Sequence, residues 1–129
     1  MSYYFSKTVS GKRLEDVIAR VTDALKEQGF GILTEIDVRA TMKKKLNEEF
    51  RDYHILGACN PPLAHQALLG EDKIGTMLPC NVIVQATESG GFEVAAVDPV
   101  ASMQAVGNPK LEGLASAVRD KLKAVIDAL

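Results

Sequence analysis

Two cysteines, each followed by asparagine and flanked by proline, are the residues of this chain best suited to chemistry: Cys59-Asn60-Pro61-Pro62 and Pro79-Cys80-Asn81. The first closes a strand-like run, Tyr53 to Cys59, and the second opens another, Cys80 to Thr87. Antiparallel pairing of those runs would bring both thiols to one end of a sheet, with Cα atoms within about 7 Å, the outer limit of disulfide geometry. Asparagine is a strong helix cap and proline suits the first helical position. Cys59 is therefore expected to face a helix N-terminus, where unpaired backbone N–H groups and the helix dipole favour a thiolate. Cys80 has no helix behind it and shares strand parity with Val82 and Val84, which favours packing, although it could resolve an oxidised Cys59. The plainer reading covers both thiols: cysteine is among the most buried residue types and packs as a small hydrophobe.

Metal binding is the rival chemistry at the same corner. Cys59 and Cys80, with His54 or His65 and a thioether from Met77 or Met103, would suit copper or zinc. No Cys-x-x-Cys or His-x-x-x-His spacing supports it, so no metal is assigned. Glu35 and Asp37 alternate on one strand face and could serve as acid and base, but acidic pairs on solvated sheet faces are common. The Lys43-Lys44-Lys45 run follows no glycine-rich loop and has no interleaved aromatics, so it reads as a solvated helix face. The candidate ligand-binding residues are Cys59, Asn60, Cys80, Asn81, His54, His65 and Met103. They admit three functions: a small-molecule-binding domain, a thiol redox enzyme or sensor, and a structural dimerisation module. The first is favoured, because capped turns would aim backbone donors and thiols at one spot.

The whole chain bounds these choices. At 129 residues, with 47% hydrophobic and 25% charged, it is expected to form one domain over residues 1–129 with a core that needs no staples. A net charge of −2 gives no general attraction to phosphate backbones or anionic lipid, which argues against nucleic acid. No run approaches the roughly 18 apolar residues of a membrane span, and the N-terminus lacks a basic segment followed by an apolar one. The expectation is a soluble, cytoplasmic protein whose thiols are kept reduced.

The elements follow from periodicity. Tyr3 to Val9 alternates as a first strand, and Leu14, Val17, Ile18, Val21 and Leu25 mark a helix from Ser10 to a stop at Gly29. Ile32 to Val38 reads as a second strand, with Ile32, Thr34, Ile36 and Val38 on one face and Leu33, Glu35 and Asp37 on the other. A surface helix over Arg39 to Phe50, strand Tyr53 to Cys59, a short helix from Pro61 to Gly70 and a loop from Glu71 to Leu78 come next. Strands Cys80 to Thr87 and Phe92 to Val97 join through Glu88-Ser89-Gly90-Gly91, the clearest hairpin signal in the chain. Asp98-Pro99 starts a short turn around Met103, and Asn108-Pro109 opens the last helix, with Leu111, Leu114, Val118, Leu122 and Leu129 on its stripe. This order predicts an α+β fold of two layers: a mostly antiparallel five-stranded sheet with two long helices on one face. Leu33, Leu56, Ala58, Ile83, Ala95 and Val97 cannot all point at those helices, so part of the other face is expected to meet a second subunit or a ligand.

The run Gly29-Phe30-Gly31 through Glu35-Ile36-Asp37-Val38 carries a resemblance, together with Tyr53-His54-Ile55-Leu56-Gly57-Ala58-Cys59-Asn60-Pro61, Leu78-Pro79-Cys80-Asn81-Val82, and Asp98-Pro99 with Met103. Across essentially the whole chain it resembles the bacterial and archaeal family called domain of unknown function 302. The resemblance implies a TATA-binding-protein-like topology and a homodimer. It implies no activity, and shared topology carries no expectation of DNA binding.

Overall fold

Apolar stripes at helical spacing and alternating apolar runs sort the chain into two layers in the computed structural model, which describes residues 2–129. In chain order the elements are β1 (Tyr4–Val9), α1 (Leu14–Glu27), β2 (Gly31–Asp37), α2 (Val38–Leu46), β3 (Tyr53–Cys59), α3 (Pro61–Gly70), β4 (Cys80–Ala86), β5 (Phe92–Val97), α4 (Pro99–Ser102) and α5 (Glu112–Asp127). Short 3-10 turns occupy Ile74–Met77, Gln104–Val106 and Pro109–Leu111. The five strands form one sheet in the order β1-β5-β4-β3-β2, with every neighbouring pair antiparallel. Both long helices pack on one face, where Val17, Val21 and Leu25 of α1 and Leu122, Val125 and Ile126 of α5 meet the sheet's buried residues. This is the expected α+β fold.

Several boundaries differ from the sequence reading for local reasons. α1 starts at Leu14 rather than Ser10, because residues up to the extended N-cap Arg13 do not join it. Its end is as expected: Gly29 takes φ 84°, and the N–H of Phe30 reaches back to the Leu25 carbonyl at 2.9 Å, closing a left-handed cap. α2 stops at Leu46, four residues short of Phe50, because Asn47 adopts φ 52° and supplies an unforeseen left-handed stop. Asp37, not Arg39, opens α2, its carboxylate accepting from the Ala40 N–H at 2.9 Å. None of the residues of α2 is buried, so its lysines lie on a solvated face as expected. The segment read as a loop, Glu71 to Leu78, contains the 3-10 turn that buries Ile74.

The face assignments of β2 and β3 also change. The β2–β3 register slips between Ile32 and Thr34, leaving Leu33 as an unpaired bulge residue. One extra residue reverses parity beyond it, so Glu35 and Asp37 stand opposite Leu56 and His54 on the face that carries Ile32. Leu56 and Ala58, counted among the surplus apolar positions, are fully buried opposite Val82 and Cys80 on the helix side. Ile83, Ala95 and Val97 remain on the uncovered face, bordered by Tyr4 and Tyr53.

The interior is divided. One apolar cluster joins the sheet to α1 and α5, and a second joins Ala67 of α3, Ile74 and Leu111 with Leu78, Met103 and Leu114. Filled with side chains, the gap between these clusters would make one continuous core.

Candidate functional site

That gap is an apolar cavity of about 340 Å³ at the end of the sheet where β3 stops and β4 starts. α3 forms one wall and α5 another, through Leu63, Ala67, Leu114 and Val118; Ala58, Phe30 and Cys80 close the sheet side. Leu33 and Leu68 also line it while remaining 67% and 44% exposed, which places them at its mouth. The bulge explains Leu33, since an unpaired residue is free to leave the pleat and turn toward the opening.

Three local devices shape the corner. The peptide between Leu78 and Pro79 is cis. Pro79 and Thr34 close over Gly57, where a Cβ would overlap the Thr34 hydroxyl and approach the Pro79 ring to 2.7 Å. Only glycine leaves room for both on that side of β3. The third device is Asn60, whose side-chain amide donates to the Gln28 carbonyl at 3.3 Å instead of capping α3. Asn60 thereby satisfies a free carbonyl at the end of α1 and ties that helix to the start of α3. This corrects the expected capping role. Asp98 and Asn108 do cap, accepting from the N–H groups of Val100 and Lys110 at 3.0 Å.

The structure brings four of the singled-out residues together: Cys59, Asn60, Cys80 and Met103 all line the cavity. Cys80 stands directly opposite Ala58, and Cys59 is the next residue along β3. Those two positions imply a Cα separation of about 6 Å from standard strand geometry. Both thiols are free; Cys59 is half-buried and Cys80 buried. Burial first, and the neighbouring Cys59 second, push the Cys80 thiol up to about 11, so it stays protonated at neutral pH. The nest of backbone donors expected ahead of α3 is thinner than the sequence suggested. Pro61 and Pro62 occupy the first two helical positions and carry no N–H.

The other three candidates lie elsewhere. His54 sits toward the far end of β3, its Nδ1 2.8 Å from Glu35 Oε1 and its Nε2 3.5 Å from Asp37 Oδ2. His65 is on the exposed side of α3, and Asn81 points to the uncovered sheet face. Met77 is 40% exposed and does not line the cavity. Among the described residues, no three side chains of the His, Cys, Asp and Glu types converge as a metal centre would need. Sequence reasoning missed the cavity-lining Phe30 and Leu63, and named Leu33 only as a surplus apolar position of the sheet. Their signal was present in part: α3 is apolar on more than one side, a sign that it faces something besides solvent and sheet.

Comparison with known proteins agrees with this architecture. The family model described as "Domain of unknown function DUF302" matches residues 5–129. A solved structure, that of an uncharacterized conserved protein DUF302 from Bacillus stearothermophilus, is similar with a TM-score of 0.90 and 25% identity, over 98% of each chain. No curated protein matches the chain. Among the described residues, no helix is long and apolar enough to cross a membrane.

Proposed function

The chain belongs to the DUF302 family, and we propose that it is a binding domain for a small, largely apolar molecule held between α3, α5 and the end of the sheet. One observation carries this reading: two apolar clusters that could have merged are held apart by a lined space of about 340 Å³. That volume falls at the lower end of small-molecule pockets, roughly 300–1,000 Å³. An apolar void of about 150 Å³ takes up benzene, so this space suits a bicyclic ring system or a short alkyl chain. Asn60 is the polar side chain at the wall, and its amide is already engaged with Gln28. Shape and hydrophobic burial therefore select the ligand more than hydrogen bonds do.

The test is a binding titration with naphthalene, indole and C6–C10 carboxylic acids, followed by methyl NMR of Leu63, Leu114 and Val118. Shifts confined to those methyls are expected. The variant Ala67→Leu fills the space from α3; it should leave the fold intact and weaken binding by about 4- to 15-fold, the cost of displacing one or two buried methylenes' worth of ligand. Unchanged spectra across the panel would defeat the reading.

A second reading, a homodimerisation module, draws on the uncovered sheet face. Ile83, Ala95 and Val97 form its apolar part, and an Arg51–Gln85–Glu93 chain of hydrogen bonds at 2.8 and 2.9 Å forms its polar strip. A second copy would bring the same mixed surface to itself across a twofold axis. The thiol redox reading has less behind it, because a buried, protonated Cys80 is a poor nucleophile.

A further inference from the structure

The cavity wall carries more sulfur than packing needs. Cys59, Cys80 and Met103 line the same space, and no carboxylate or imidazole does. The geometry points to a second ligand class for this corner: we propose that Cys59 and Cys80, with Met103 as a third donor, bind one soft monovalent d10 cation, Cu(I) or Ag(I).

Three considerations select that class. Hard cations need oxygen ligands, and zinc centres draw on four nitrogen or sulfur donors; this cavity offers two thiols at the sheet end and, from its opposite wall, one thioether. Thiolate and thioether donors select Cu(I) among biological metals, and low coordination numbers suit a d10 ion. The histidines that would have favoured zinc or Cu(II) are elsewhere, His54 between two carboxylates and His65 on the exposed side of α3. The two cysteines stand about 6 Å apart at Cα across the β3–β4 ladder; the pleat alone would send their side chains to opposite faces, but Cys59 ends β3 and lines the same cavity as Cys80, so both thiols border one space. The surrounding apolar side chains keep water and competing oxygen ligands away from the ion.

The reaction involves no redox change. Two neutral thiols and one M(I) ion give a bis-thiolate complex of charge −1 and two protons released to solvent; the thioether adds no proton. Met103, on the far wall at the end of α4, can swing its flexible side chain toward the ion.

This inference goes beyond the apolar-ligand reading and can fail independently of it. The test titrates reduced protein with Ag(I), and with Cu(I) against a bicinchoninate competitor, by native mass spectrometry and ultraviolet charge-transfer absorption. One ion per chain is expected for the wild type. Cys59→Ser and Cys80→Ser should each lose more than the roughly 10- to 100-fold that removal of an outer-shell partner costs, and Met103→Leu less. X-ray absorption of the Cu(I)-loaded wild type should show sulfur neighbours alone, which keeps the test decisive if a cysteine variant fails to fold. Failure to compete with bicinchoninate, nitrogen or oxygen donors in the metal shell, or wild-type affinity in Cys80→Ser would overturn the proposal. Naphthalene binding and metal binding are read separately on the wild-type protein, so absence of metal binding alone leaves the cavity reading standing.

Discussion

The side-chain amide of Asn60 donates to the backbone carbonyl of Gln28, 32 residues earlier, across 3.3 Å. This bond joins the last turn of α1 to the first turn of α3, and Gly29 lies under it at φ 84°, where a Cβ would come within 3.0 Å of Asn60 Nδ2. Asn60→Ala removes the donor and leaves a part-buried carbonyl unsatisfied, so stability to urea should fall by about 1 kcal/mol. Gly29→Ala adds left-handed strain to a close contact and should cost about 1–2 kcal/mol. Equal stability of both variants and the wild type would show that the α1–α3 tie contributes nothing.

Gly57 is the tightest point of the sheet. Gly57→Ala would place a methyl between Thr34 and Pro79, and overpacking of this kind costs about 1–3 kcal/mol. Adding Thr34→Ala removes one of the two obstructing groups and should recover part of the loss. Chemical denaturation of the single and double variants measures both effects.

The thiols should differ in reactivity and in their effect on stability. Iodoacetamide at neutral pH is expected to modify half-buried Cys59 well before buried Cys80, which mass spectrometry after partial labelling would read directly. Cys80 has its ordinary value of 9.0 raised to about 11 by burial and by Cys59. The unfolded chain therefore ionises this thiol first as pH rises. The resulting stabilisation is complete below about pH 9 and is lost as pH climbs through about 11, by on the order of 2 kcal/mol. Subtracting the profile of Cys80→Ala from that of the wild type isolates it from tyrosine and lysine titration; a flat difference between pH 8 and 11 would contradict it.

If the uncovered sheet face meets a second copy, light scattering at micromolar concentration should give about twice the 13.9 kDa chain mass. Ile83→Asp places a charge in the apolar part of that face and should shift the protein to monomer without lowering its helix content. A monomeric wild type would remove the dimerisation reading.

Local patterning determined a good deal of this protein without tertiary information. Val17, Val21 and Leu25 at helical spacing fixed the buried face of α1, and Tyr53–Cys59 and Phe92–Val97 were legible to the residue, because each is bounded by turn or cap residues whose backbone preferences are intrinsic. The proximity of Cys59 and Cys80 was likewise implied by two strands that had to pair. What no window of sequence contained was the bulge at Leu33, since an extra residue in one strand is defined only against its partner's register. The bulge moved Glu35 and Asp37 to the other face of the sheet and turned Leu33 to the cavity mouth. Nor could the sequence show that Asn60 would prefer the Gln28 carbonyl to its own helix, because that carbonyl arrives only when α1 is docked. The cavity is the extreme case: an unfilled space belongs to no residue, and it arises only where α3, α5 and the sheet end are packed just far enough apart to leave it.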